Sequence, residues 1–132
     1  MNVKNLLLAA LVVGVVMNIV DFVVQGQLLA GYYANIPLFK KEPPIPWLVV
    51  GDFVTALVFV WVYARVFSSF GGGPKGGATF GLYAGIFANF PTWIFAHLLM
   101  VGFPYRLAWS WTIVGVLWCV IAGAAAGAVY KK

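Results

Sequence analysis

Charged side chains are scarce in this sequence. Only 8% of its 132 residues are charged, and Asp and Glu together number three. Soluble globular domains carry about 25% charged residues, so a soluble fold is excluded. The eight Lys and Arg residues form no dense cluster. We therefore expect no nucleic-acid partner, because such proteins need a concentrated basic surface.

Cysteine and histidine each occur once, as Cys119 and His97. One cysteine excludes an internal disulfide, a CxxC redox pair and a cysteine-based zinc site. His97 is the one candidate ligand for a haem or pigment, and a two-histidine haem would need a second chain. No serine or cysteine lies near a plausible base, so nucleophilic catalysis has no support. We expect no enzymatic activity, no metal and no cofactor, with haem, pigment or quinone as remote alternatives.

Apolar residues dominate instead: they make up 64% of the chain, whose mean hydropathy is +0.99. Four stretches have the length of about 20 residues that a membrane span needs, at about 5–33, 47–67, 78–100 and 105–130. Helices satisfy every backbone group within lipid, whereas open strands do not. The sequence thus predicts one all-α domain over residues 1–132, an integral membrane four-helix bundle with short loops. The first stretch is interpreted as a retained helix, since it offers no small-x-small cleavage site.

Basic residues are distributed unequally between the two ends of these spans. One end holds five: Lys4, Arg65, Lys75, Lys131 and Lys132. The other end holds three: Lys40, Lys41 and Arg106. Cytoplasmic loops carry the excess of Lys and Arg. This asymmetry predicts a multi-pass protein of the bacterial cytoplasmic membrane with both termini inside.

Small residues recur every four positions on the third and fourth stretches. They are Gly77, Gly81 and Gly85 on the third, and Gly123 and Gly127 on the fourth. Such repeats let two helix backbones approach closely in lipid. We expect these two helices to cross tightly near the end that carries the termini. Pro91 is expected to kink the third helix.

Ionisable side chains within spans are costly, so each is a functional hypothesis. We predict one polar cluster towards the opposite end, with contributions from all four helices: Asp21, Gln25, Asp52, His97 and Arg106. Asn18 and Asn89 are candidate amides that bridge helices. In a structural interpretation Arg106 pairs with one aspartate and His97 bonds the other. In functional interpretations a carboxylate exchanges a proton or binds a cation, or the cluster lines a lipid or quinone pocket.

Several loosely spaced residues resemble a group of small four-span bacterial membrane proteins of unknown function. They are Asp21-Phe22 with Gly26, Pro46-Trp47, Gly81, Gly85, Pro104, Trp111, Gly123 and Tyr130. The resemblance covers most of the chain and implies the four-helix fold, without implying any chemistry. Small multidrug-resistance transporters are a second comparison, in which Asp21 would be the essential carboxylate. That family uses a glutamate near the middle of its first helix and an aromatic motif on its third, neither of which occurs here.

The absence of a soluble domain, the minimal loops and the dispersed aromatic residues favour a non-enzymatic role. We expect a small integral subunit that packs against other membrane chains or against copies of itself, with the lipid bilayer around it. The alternative is a small proton-coupled carrier, or a protein that binds lipid, quinone or pigment, built on the predicted polar cluster.

Overall fold

A computed structural model describes all 132 residues, and it contains helices and no strand. The helices are α1 (Val3–Val23), α2 (Ala30–Tyr33), α3 (Ile45–Arg65), α4 (Phe67–Phe70), α5 (Gly73–Asn89), α6 (Thr92–Leu99) and α7 (Tyr105–Val129), and a π-helical turn (Val24–Leu28) continues α1. Four helical stretches are long and apolar enough to cross a membrane: Val3–Leu28, Ile45–Arg65, Gly73–Leu99 and Tyr105–Val129. We refer to them as the first to fourth spans. The prediction of an all-α chain with four such helices is confirmed.

Local sequence signals explain where the spans begin. The Asn2 side chain caps α1 by accepting a hydrogen bond from the Asn5 backbone N–H at 3.2 Å. Pro46 and Pro74 lie in the first turns of α3 and α5, where a missing N–H costs no helical hydrogen bond. The third span therefore begins at Gly73, earlier than the expected position near residue 78. Gly71 in the preceding turn and Gly73 at the start of α5 have positive φ angles, a conformation that favours glycine.

The third span is interrupted, not merely kinked. Helix α5 ends at Asn89, and α6 begins at Thr92 after the extended residue Phe90. Proline lacks a donor and disfavours helical geometry in the residue before it, so Pro91 ends one helix and permits a second. The sequence correctly predicts a distortion at Pro91. The helix is broken in two there, however, and not only kinked as expected.

Close packing of α5 on α7 is the principal contact in the bundle. At Gly77 and Gly81 an added Cβ would collide with the backbone carbonyls of Gly123 and Cys119. At Gly85 it would lie 2.9 Å from the Cα of Val116. The glycines of the two rows therefore lie in the crossing itself, where they allow backbone contact.

The spans are arranged in the order α3, α1, α7, α5, with α1 packed on α3 and on α7. The main core fills the half of the bundle that carries the termini. It is formed by Leu6, Ala9, Ala10, Val13, Met17, Ala56, Val60, Tyr63, Phe80, Ala122, Ala126 and Tyr130. The two chain ends meet there, since the Asn5 side-chain amide donates to the Lys131 carbonyl at 2.9 Å.

Aromatic rings close the opposite end of the bundle. The chain turns back after α2, so that Phe39 packs on Tyr33 and Trp111 with ring centroids 4.6 and 5.7 Å away. Trp93 packs edge-on against Trp111 at 4.7 Å. Phe103 is buried beside them. This aromatic cap leaves one side of the bundle open, between α3 and α5.

Candidate functional site

An open groove runs between α3 and α5, with α7 as its floor. The backbones of α3 and α5 make almost no contact, although Phe59 and Phe80 meet at the core end with ring centroids 5.1 Å apart. The groove consists of two adjoining cavities of about 630 and 590 Å³, which share Thr55, Ala88, Trp118 and Cys119. Each cavity has the volume typical of small-molecule sites.

The two cavities differ in polarity. The one nearer the aromatic cap, here the polar half, is lined by Asp21, Gln25, Leu48, Asp52, Thr55, Ala88, Asn89, Trp93, Trp111, Val114, Gly115, Trp118 and Cys119. The one nearer the core, here the apolar half, is lined by Val54, Thr55, Val58, Phe59, Val62, Phe80, Ala84, Phe87, Ala88, Trp118 and Cys119. The groove is thus amphipathic along its length.

Two carboxylates line the polar half. Asp21 comes from α1 and Asp52 from α3, and these two helices pack on each other. Both side chains are half-buried. No Lys, Arg or His side chain lines either half of the groove. The pair therefore has no cationic partner within the chain.

The π-helical turn positions Gln25 at the mouth of the polar half. The Tyr33 hydroxyl donates to Gln25 Oε1, and Trp111 Nε1 donates to the Tyr33 hydroxyl at 2.8 Å. Burial raises the pKa of Tyr33, so this hydroxyl stays protonated and donates at neutral pH. The chain of bonds links the first span, α2 and α7 above the carboxylates. Such π-helical turns occur frequently at functional sites.

Asn89 and Trp93 form the α5–α6 wall of the polar half. The Asn89 amide donates to the Gly85 carbonyl at 2.9 Å, and its oxygen accepts from Trp93 Nε1 at 3.0 Å. Gly115 of α7 leaves the space that this amide occupies, because an added Cβ there would collide with it. The amide is thus bonded through both its nitrogen and its oxygen, and it fixes the wall at the interruption of the third span.

The structure divides the predicted polar cluster. Asp21, Gln25 and Asp52 line one cavity, whereas His97 and Arg106 do not. His97 Nδ1 lies 2.7 Å from the Phe103 carbonyl, and the Arg106 guanidinium lies 5.1 Å from the centre of the Tyr32 ring. Both side chains are near helix ends, where backbone carbonyls and aromatic rings of adjacent turns provide partners. The expected pairing of Arg106 and His97 with the aspartates is wrong.

The predicted bridging amides also bond within their own spans. Asn18 donates to the Gly14 carbonyl at 2.8 Å, one turn earlier in α1. Asn89 bonds Gly85 and Trp93, as described above. In lipid the i−4 carbonyl is the nearest acceptor for a short polar side chain, so it competes with acceptors on neighbouring helices. Neither amide therefore bonds a different span, although that of Asn89 joins α5 to α6 through Trp93.

Several lining residues were not singled out as site residues from the sequence. Thr55 follows Asp52 by three positions, Trp93 follows Asn89 by four, and Trp111, Gly115 and Trp118 share one face of α7. Spacings of three and four place residues on one face of a helix, so a search for partners around each polar residue would have found Thr55 and Trp93. No charged or amide residue lies three or four positions from any of these α7 residues, so the sequence did not mark them.

His97 stands apart from any arrangement that could hold a metal. Nowhere in the chain do three or more His, Cys, Asp or Glu side chains converge as a metal site would require. Its ring packs at 5.3 Å from Tyr105, outside the groove. A macrocycle at His97 would therefore need residues from another chain.

Comparison of this chain with protein families, with curated proteins and with solved structures finds no match. The resemblance to small four-span bacterial proteins stays a prediction.

Proposed function

We propose that this protein is a small, non-enzymatic membrane protein that binds a lipophilic cation in the groove between α3 and α5. The single observation that supports this proposal is the pair of carboxylates, Asp21 and Asp52, at the polar end of an otherwise apolar groove that contains no basic side chain. A positively charged group on the ligand would supply the counter-charge that the two carboxylates lack.

Electrostatics favours a cationic ligand over a neutral one. A carboxylate removed from water is costly unless a positive charge or several donors compensate for it. Two of the nearby donors are already used: the Tyr33 hydroxyl bonds Gln25, and Trp93 Nε1 bonds Asn89. A neutral quinone would leave the two aspartates without a counter-charge. The rings of Trp93, Trp111 and Trp118 line the same half and would attract a cation further.

The shape of the groove favours a ligand with an apolar body. The apolar half continues directly from the carboxylates and is lined almost entirely by aliphatic and aromatic side chains. Phe87, on the α5 side, is 88% exposed at the edge of the groove. A ligand dissolved in the bilayer would enter sideways between α3 and α5, because the aromatic cap covers the end of the bundle.

Binding of tetraphenylphosphonium, a lipophilic cation, tests this proposal. We expect the purified wild-type chain in detergent to bind it, and the double variant Asp21→Asn, Asp52→Asn to bind it at least about tenfold more weakly. Hydrogen bonds and contacts with charged groups contribute about 1.5–3 kcal/mol, which supports a loss of this size. Isothermal titration calorimetry measures both affinities.

Glu42→Gln is the matched control, because Glu42 is the only other acidic residue and lies in the loop before α3. It removes one negative charge outside the groove, and its affinity should equal that of the wild type. Circular dichroism verifies that each variant keeps its helical content. Equal binding by the wild type and the double variant, or no binding by either, would contradict the proposal.

A second candidate function is that of a subunit in a larger membrane complex, or in a homo-oligomer. The observation that favours it is the low coverage of the two helices beside the groove. The most apolar windows of the second and third spans are each 11% buried, against 33% for the fourth. A helix of another chain or of a second copy would cover both faces at once. The mass of the gently extracted protein, measured with the lipophilic cation added, distinguishes this candidate from ligand binding, because a groove covered by another helix would take up no cation.

We also propose that the spans lie in the bacterial cytoplasmic membrane with both termini in the cytoplasm. The end of the bundle where Asn5 bonds Lys131 carries the larger number of Lys and Arg residues. A fluorescent protein fused after Lys132 should therefore fold and fluoresce. A fusion that is dark, while alkaline phosphatase fused there is active, would reverse the orientation.

A further inference from the structure

We infer that the apolar half of the groove binds one acyl chain of an anionic phospholipid, whose phosphate group contacts Arg65. The lipid comes from the leaflet at the end of the bundle that carries the termini. This inference does not rest on the proposed function, because its polar contact lies at the opposite end of the groove from Asp21 and Asp52. A lipophilic cation that enters the groove would displace the chain, since both use the apolar half.

Arg65 lies just beyond the apolar half, in the last turn of α3. It follows the lining residues Val58 and Val62 by seven and three positions, and these spacings place all three on one face of the helix. The guanidinium lies 5.5 Å from the centre of the Trp61 ring, and this cation–π contact holds the charge beside the groove. Tryptophan is enriched at the headgroup level of a membrane, so Arg65 lies where lipid phosphates are expected.

The end of the bundle around Arg65 carries basic side chains and no acidic one. The three acidic residues of the chain lie elsewhere: Asp21 and Asp52 in the polar half, and Glu42 in the loop before α3. A lipid phosphate would therefore supply the negative charge that Arg65 lacks, and the guanidinium binds phosphate oxygens through several N–H donors. An anionic lipid is favoured over a zwitterionic one, whose own ammonium group already neutralises its phosphate.

The apolar half has the length and the lining that an acyl chain needs. From Val54 to Arg65 helix α3 rises about 16 Å, which is close to half of the roughly 30 Å hydrocarbon thickness of a bilayer. The cavity of about 590 Å³ is open towards lipid between α3 and α5. Its one hydroxyl group, on Thr55, donates to the Gly51 carbonyl at 2.8 Å, so it requires no partner from the ligand. A hydrocarbon chain thus leaves no polar group of the wall unpaired by its entry.

Native mass spectrometry with single added lipids tests this site. The purified full chain is delipidated in detergent and mixed with phosphatidylglycerol or with phosphatidylcholine of identical acyl chains. We expect the wild type to bind one phosphatidylglycerol at least about fivefold more tightly than phosphatidylcholine, the preference that one basic residue near an anionic headgroup provides. Equal affinity for the two lipids would overturn the inference.

Three variants separate this site from a general attraction between basic residues and anionic lipid. Arg65→Gln should lose the preference for phosphatidylglycerol, whereas Lys75→Gln should keep it. Lys75 is the matched control, because it lies at the same end of the bundle but five positions before Phe80, on another face of α5. Val58→Trp narrows the apolar half without changing any charge and should abolish the one tight phosphatidylglycerol complex.

Circular dichroism verifies that each variant keeps its helical content. Equal losses in Arg65→Gln and Lys75→Gln, or unchanged phosphatidylglycerol binding by Val58→Trp, overturn the inference. Either result leaves the proposed function intact, because the binding of tetraphenylphosphonium by the wild type is measured separately and depends on the carboxylates.

Discussion

Two buried tyrosines lie side by side in the main core, but only one of their hydroxyl groups makes a hydrogen bond. Tyr63 and Tyr130 pack with ring centroids 6.1 Å apart, and neither is more than 1% exposed. The Tyr63 hydroxyl donates to the Gly71 carbonyl at 2.7 Å, which ties α3 to the turn before α5. The Tyr130 hydroxyl has no hydrogen-bond partner. The Tyr63 hydroxyl therefore stabilises the fold, whereas burial of the unbonded Tyr130 hydroxyl costs free energy.

This difference predicts opposite responses to the same substitution. Tyr63→Phe should lower the free energy of unfolding by about 1–3 kcal/mol, because it leaves the Gly71 carbonyl unpaired. Tyr130→Phe should leave stability unchanged or increase it slightly, since no bond is lost. Thermal unfolding in detergent, followed by circular dichroism, compares the two variants directly. A larger loss in Tyr130→Phe than in Tyr63→Phe would contradict this assignment.

The sequence shows which polar residues lie within the spans, but it does not show which groups they contact. Asp21 and Asp52 stand out because a carboxylate within a span is costly wherever it points. The same reasoning placed His97 and Arg106 beside them, yet each has a partner near its own helix end, at Phe103 and Tyr32. Side-chain direction near the end of a span depends on local turns, which hydropathy does not encode.

Among the helices, α5 and α7 form the most closely packed pair of the bundle. The glycines at their crossing allow the two backbones to touch, so dispersion contacts accumulate along several turns. Helix α3 has no comparable contact with α5. Helices α7 and α5 thus provide the floor and one wall of the groove, and α3 with α1 provides the other wall.

Alanine substitutions at two helical glycines test this packing. Gly81→Ala should lower the free energy of unfolding by about 1–3 kcal/mol or more, because its Cβ would collide with the Cys119 carbonyl. Gly51→Ala is the matched control in α3, where nothing lies within 4 Å of an added Cβ. It should be neutral or stabilising by up to about 1 kcal/mol, as alanine favours helix over glycine. Equal melting temperatures for both variants would exclude the tight crossing.

The sequence predicts the number of membrane-length helices correctly. It predicts the interruption of the third span only in part. Runs of about 20 apolar residues specify membrane-length helices with little ambiguity. Pro91 marks the right position, but whether a proline bends a helix or ends it depends on the packing around it. Here Asn89, held by Gly85 and Trp93, fixes the last turn before the break.

At the scale of the whole molecule, the open groove is the feature that the sequence did not predict. Hydropathy specifies which segments are helices but not their order around the bundle, because lipid and protein interiors are similarly apolar. The order α3, α1, α7, α5 is what separates α3 from α5 and brings Asp21 to Asp52. A different order of the same four helices would have no such groove.

Native mass spectrometry of the gently extracted protein, with tetraphenylphosphonium added, tests the central claim most directly. The account predicts masses built from 14.3 kDa units, each carrying one bound cation that is lost in the Asp21→Asn, Asp52→Asn variant. A mass that contains other chains and takes up no cation would contradict it. The groove would then be an interface, and the protein a subunit of the complex that those chains define.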